Sequence, residues 1–218
     1  MEKSIESIWK DGFLTADELV APKLNDLYNK KSGHIVDKFT RMFKVNLIMI
    51  VFGSFVLLGL SYMFGVPYLG IAMFILLNIL AFINRKLMNG LLEIDKTANS
   101  FDYLKQFDGW MKEQISINER FARVLYPMIF ISIFIGFWFG EIGGDMPGQV
   151  LLNEFITGHP ELLLVFGIPW FFFLGGILLL SLLAYFGGKI YQWDLKIVYG
   201  RVLKKLEEIL ADMEELRG

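Results

Sequence analysis

The sequence contains no cysteine and only two histidines among 218 residues. The first absence excludes disulfides, thiolate metal sites and cysteine nucleophiles, and leaves the redox compartment open. The histidines, His34 and His159, fall in segments that the charge pattern assigns to opposite faces of a membrane, so they cannot cooperate. No phosphate-binding glycine loop, nucleophile–base pair or zincin pattern occurs either. The expectation is a protein that is not an enzyme and needs no cofactor or metal.

Charge is missing in long blocks. Windows 45–64, 66–83, 124–140 and 162–188 contain no Asp, Glu, Lys, Arg or His. At about 1.5 Å per residue each can cross a hydrocarbon core of about 30 Å as a helix, the second and third barely. The 55% hydrophobic content is gathered into these blocks, not spread as in a soluble domain. The fold class read from this pattern is all-α, a polytopic membrane protein built as a four-helix transmembrane bundle, with the lipid bilayer as its first partner. The first apolar block stands behind 44 mostly polar residues, unlike a secretory signal, so the N-terminus is expected to be retained.

Cations are missing from two connections. All 21 Lys and Arg lie outside the windows: eight in 1–44, seven in 84–123 and six in 189–218. Gly65 alone joins the first two windows, and 141–161 carries Glu141, Asp145, Glu154 and Glu161 with no cation. The positive-inside rule then places both termini and the 84–123 connection in the cytoplasm, N-in and C-in, with 141–161 as the outer loop. The signs alternate along the cytoplasmic segments with no basic stripe, so nucleic acid is not an expected partner.

The apolar stripes run on past the windows. Leu24, Leu27, Tyr28, Ile35, Phe39 and Met42 share a helical face ahead of the first span, and Pro22 suits the first turn of that helix. Leu87, Leu91 and Ile94 carry the second span on to about Ala98. Asn99 or Ser100 can then cap a helix bearing Phe101, Leu104, Met111 and Ile115. Leu195, Val198, Val202, Leu206, Ile209, Met213 and Leu216 recur at gaps of three or four after the fourth span. Each stripe needs a partner, which predicts helices extended into a cytoplasmic bundle. The chain divides into an N-terminal amphipathic peptide, 1–21, and a bundle over 22–217. The cytoplasmic helices occupy 84–123, and the C-terminal cytoplasmic helix 189–217. No β-strand pattern competes.

Within the membrane the polar residues are few. Asn46 reads as an interfacial side chain, and Asn78 as an interhelical hydrogen-bonding group. Gly136, Gly140 and Gly144 repeat every four residues, GFWFGEIGG, a spacing that allows close helix packing within the monomer or a homo-oligomer. Pro127 and Pro169 are expected to kink the third and fourth spans. The outer loop has four carboxylates and His159, yet their spacing fits no metal motif.

The best functional candidate is SIESIWKDGFL, residues 4–14. Ile5, Ile8 and Trp9 share a helical face, Gly12 is a suitable stop, and Phe13 and Leu14 add apolar area beyond it; Thr15 and Glu18 form a capping box for the next turn. Such a peptide lies on lipid or its own bundle, or it docks in a groove of a cytoplasmic partner with Ile5, Ile8, Trp9, Phe13 and Leu14 as contacts. The run from ESIWKDGFL through APKLNDLYNKKSGHIVDKFTRMFKVN resembles a family of small bacterial four-span membrane proteins of unassigned function, often encoded beside extracytoplasmic-function sigma factors. That resemblance implies the bacterial inner membrane and an anti-sigma-like or signalling role. The chain lacks the His and Cys set of zinc-type anti-sigma domains, so that mechanism is not implied. The expected function is a non-enzymatic regulatory or scaffold protein that binds a cytoplasmic partner, a sigma factor among the candidates. The alternative is an oligomeric channel or small transporter.

Overall fold

In lipid, backbone N–H and C=O groups find no water, so a single chain segment satisfies them best as a helix. The computed structural model describes residues 5–96 and 98–215, with side chains described from residue 30 onward among them. Among the described residues five helices account for most of the length: α1 (Ile5–Met63), α2 (Pro67–Leu92), α3 (Ser100–Phe139), α4 (Pro147–Gly158) and α5 (Trp170–Glu215). A two-stranded hairpin, β1 (Leu164–Val165) and β2 (Ile168–Pro169), precedes α5.

Four of these helices, α1, α2, α3 and α5, are long and apolar enough to cross a membrane. α1 packs on α2, α2 on α3 and α3 on α5, with α1 also touching α3 and α5. The result is an all-α four-helix bundle with up-down-up-down connectivity. Its tightest turn is at Gly65, whose φ of 73° is open to glycine at little cost. The Gly65 carbonyl accepts from the Glu141 N–H at 2.7 Å, which ties the α1–α2 turn to the end of α3. Pro67 occupies the first turn of α2, where its missing N–H breaks no helical bond.

At the other end, Asn99 caps α3: its side chain accepts from the Asp102 N–H at 2.9 Å. α2 stops at Leu92 and does not reach Ala98. Reversal between antiparallel helices takes a connection of several residues, and 93–99 supply it. Ile94 still reaches the core from that turn.

The fourth window departs most from its sequence reading. Residues 162–169 are not helical. Leu164 pairs with Pro169 and Val165 with Ile168 around a turn in which Phe166 and Gly167 have φ of 51° and 80°. Pro169 therefore ends a strand immediately before α5 and does not kink a span. A residue preceding proline is biased toward extended conformation, and at Ile168 the hairpin pairing to Val165 adds to that bias. The 170–188 part of the window still covers about 28 Å at helical rise. Pro127 does lie inside α3. α1 has helical backbone through Gly12 and Pro22, where a stop and a fresh start were expected; glycine and proline cost a helix about 1 and 3 kcal/mol without forbidding it.

The packed core lies almost wholly outside the apolar windows. Leu104 and Phe107 are 0% exposed, and Phe39, Tyr199, Val202 and Leu206 close around them. The α5 seam runs Leu195, Tyr199, Val202, Leu206, Ile209, Met213; Tyr199 takes the place expected of Val198, which is exposed, and Leu216 lies outside the described residues. Within the windows the large side chains point outward, Phe82 at 71% and Leu178 at 61% exposed. Helices in lipid gain nothing by hiding leucine from lipid tails, whereas helices in water require a buried core. The large exposed apolar side chains gather in the windows and the packed core outside them, and the chain is a multi-pass membrane protein.

Candidate functional site

The expected partner contacts Ile5, Ile8, Trp9, Phe13 and Leu14 fall within α1, but their side chains lie outside the described residues. The expected packing positions can be followed one by one. Asn78 Nδ2 donates to Ser54 Oγ at 2.9 Å and to the Phe74 carbonyl at 2.8 Å, joining α2 to α1 in mid-window. Gly136 is buried, and a Cβ there would stand 2.5 Å from the Leu69 Cβ of α2. Gly140 is the C-cap of α3, where an added Cβ would meet a Val66 methyl at 2.5 Å.

Gly144 is different. It sits in the turn after α3 with φ of 96°, and a Cβ there would have no atom within 4 Å. The four-residue repeat thus serves the α2–α3 approach at its first two positions, while the third is a turn glycine. Helical periodicity stops mattering at residue 140, where the helix ends. His159 stacks on Phe155 and bonds to its carbonyl at 3.1 Å. Among the described residues no group of three His, Asp or Glu could hold a metal ion.

The most organised polar site lies at the level where the windows meet the charged half. The buried stripe of α3 runs Leu104, Phe107, Met111, Gln114, Asn118, Ala122, Leu125, so two amides occupy core positions. Asn118 and Asn84 of α2 each donate Nδ2 to the other's Oδ1 at 3.1 Å. Asn84 also donates to the Leu80 carbonyl at 2.9 Å, and Asn118 to the Gln114 carbonyl at 3.0 Å. Gln114 Nε2 donates to Asn84 Oδ1 at 3.3 Å, leaving Gln114 Oε1 buried with no hydrogen-bond partner. Across the bundle, Asn46 Nδ2 donates to the Tyr199 hydroxyl at 3.2 Å. Burial raises the Tyr199 phenol, and the bond from Asn46 partly offsets it.

These groups line a cavity of about 270 Å³ in the centre of the bundle. Its exposed rim includes Asp194 of α5, which accepts from the Tyr126 hydroxyl of α3 at 2.6 Å. No Lys, Arg or His lines it. Sequence reasoning passed over Asn84, Gln114 and Asn118. The signal was present, since polar residues at gaps of three and four interrupt an otherwise apolar α3 stripe. Such a break marks either a solvated position or a buried polar layer, and only the neighbours distinguish the two.

Comparison of the chain with protein-family models, with curated proteins and with solved structures finds no match.

Proposed function

We propose that this chain is a non-enzymatic regulatory or scaffold protein of the bacterial inner membrane that binds a cytoplasmic protein through its N-terminal segment and helical bundle. That all 21 Lys and Arg lie outside the apolar windows, in 1–44, 84–123 and 189–218, supports a cytoplasmic location for those segments. One observation carries the reading. Ser100, where α3 begins, lines the same crevice as Ser32, and α2 has already ended at Leu92, yet the α1 backbone is helical from Ile5. The segment bearing Ile5, Ile8, Trp9, Phe13 and Leu14 lies on the N-terminal side of that crevice along α1. Apolar residues at that spacing on a helix suit helix-in-groove recognition. The resemblance of this segment makes a sigma factor the first partner to try.

A photo-crosslinker at position 9 of the full chain in cells tests the reading. A discrete adduct with one cytoplasmic protein, lost in Phe13→Ala and Ile8→Ala, is expected. Adducts only to lipid or to the chain's own bundle would refute it.

The central cavity favours a second reading, an oligomeric channel or small transporter. Ion flux in liposomes that responds to Asn78→Leu or Gly140→Leu would support that alternative.

A further inference from the structure

We propose that the central cavity is a binding site for a small organic ammonium ion, a protonated amine carrying an apolar body. The inference starts from what the lining still has to offer. The amide nitrogens of Asn46, Asn84, Gln114 and Asn118 all donate to protein acceptors. Gln114 Oε1, by contrast, has no partner although Gln114 is only 5% exposed. Asn46 and Gln114 each keep one side-chain N–H beyond these bonds, but the buried atom of this layer left with no partner is the Gln114 carbonyl oxygen, and a hydrogen-bond donor on a ligand would satisfy it.

Charge points the same way. Asp194 is the one ionised group on the lining, and no cationic side chain stands there to hold an anion. Aromatic rings supply the remaining walls: Phe39, Phe43, Phe121, Tyr126, Tyr191 and Tyr199. The negative faces of such rings attract ammonium groups, more strongly where water is thinned out. A carboxylate at the rim, rings along the walls and an unpaired amide oxygen in the polar layer complement a donor-only cation. The volume of about 270 Å³ restricts the occupant to a small one.

Two sources of such an ammonium can reach the site. The lining runs from Phe39 to Ile50 on α1 and from Met111 to Tyr126 on α3, straddling the edges of the 45–64 and 124–140 windows. That is the level of lipid headgroups, so either a free amine or the ethanolamine headgroup of a phospholipid can present the charge.

The test uses the full chain in dodecyl maltoside, a detergent with neither amine nor charge, titrated calorimetrically with 2-phenylethylammonium. Saturable binding is expected, at least tenfold tighter than that of 2-phenylethanol and weakened at least tenfold by Asp194→Asn. Gln114→Leu should also weaken binding, with its melting temperature measured alongside. Asp194→Asn, on the exposed rim, remains informative if the buried substitution unfolds the protein. Repeating the titration in nanodiscs of phosphatidylglycerol with and without phosphatidylethanolamine separates the sources. Competition by the ethanolamine lipid assigns the site to a headgroup, and unchanged affinity assigns it to a free amine. No saturable binding, equal affinity for the alcohol, or indifference to Asp194→Asn would overturn the proposal.

Discussion

Asn84 and Asn118 exchange side-chain hydrogen bonds across the α2–α3 contact, each amide donating to the other's oxygen at 3.1 Å, with 7% and 2% of their surfaces exposed. Removing one partner strands the other in a buried setting, at a cost of about 1–3 kcal/mol. Asn84→Leu and Asn118→Leu should each destabilise the bundle by about that much, while the double substitution should cost less than the sum. Equilibrium unfolding of the four proteins in mixed micelles gives the coupling directly. Strict additivity would mean that the pair contributes nothing.

A packed core outside the apolar windows and exposed side chains within them make the same chemical change unequal in the two halves. Phe107→Ala, at a fully buried position, should cost about 3–5 kcal/mol. Phe82→Ala, 71% exposed on the apolar belt, should stay within about 0.5 kcal/mol in micelles. Equal losses would contradict a core confined to the charged half.

Two glycines should respond in opposite directions to alanine. A side chain at Gly65 would adopt an unfavourable positive φ and press on the Glu141 carbonyl, so Gly65→Ala should lower the melting temperature. Gly33 lies in α1 with nothing within 4 Å of an added Cβ, and Gly33→Ala should stabilise by about 0.5–1 kcal/mol. Thermal unfolding of both variants in one detergent decides the matter.

Alkali should loosen the charged half. Tyr103 is raised from its ordinary value of 10.0 by burial and then by the charge of Asp37, and Tyr199 is raised by burial. Both phenols are neutral in either state at lower pH, so their contribution is fully present below about pH 10. Above that, the unfolded chain ionises first, and stability falls toward the folded values. Tyr103→Phe should flatten the decline in melting temperature above about pH 10.

Much of the architecture was legible because the bilayer imposes a coarse rule. A charge-free window must be a helix that closes its own hydrogen bonds, and the turn at Gly65 and the cap at Asn99 follow from local chemistry. The start of α5 was not legible from hydropathy, since Leu162 to Ile168 are as apolar as the helix that follows. Pro169 was the available clue, as a residue that biases its predecessor away from helical conformation. Gly144 misled because a spacing of four carries meaning only while the chain is helical.

The sequence by itself determined that four long helices stand in a membrane and that all the cations gather at one end, because both depend on transfer free energies that add residue by residue. Only the tertiary structure decided that Gln114 and Asn118 face Asn84 across a cavity instead of water, and that Tyr199 displaces Val198 in the α5 seam. Those outcomes depend on the rotation of one helix against another. A turn of about 100° per residue moves a side chain from solvent to core without changing any local preference.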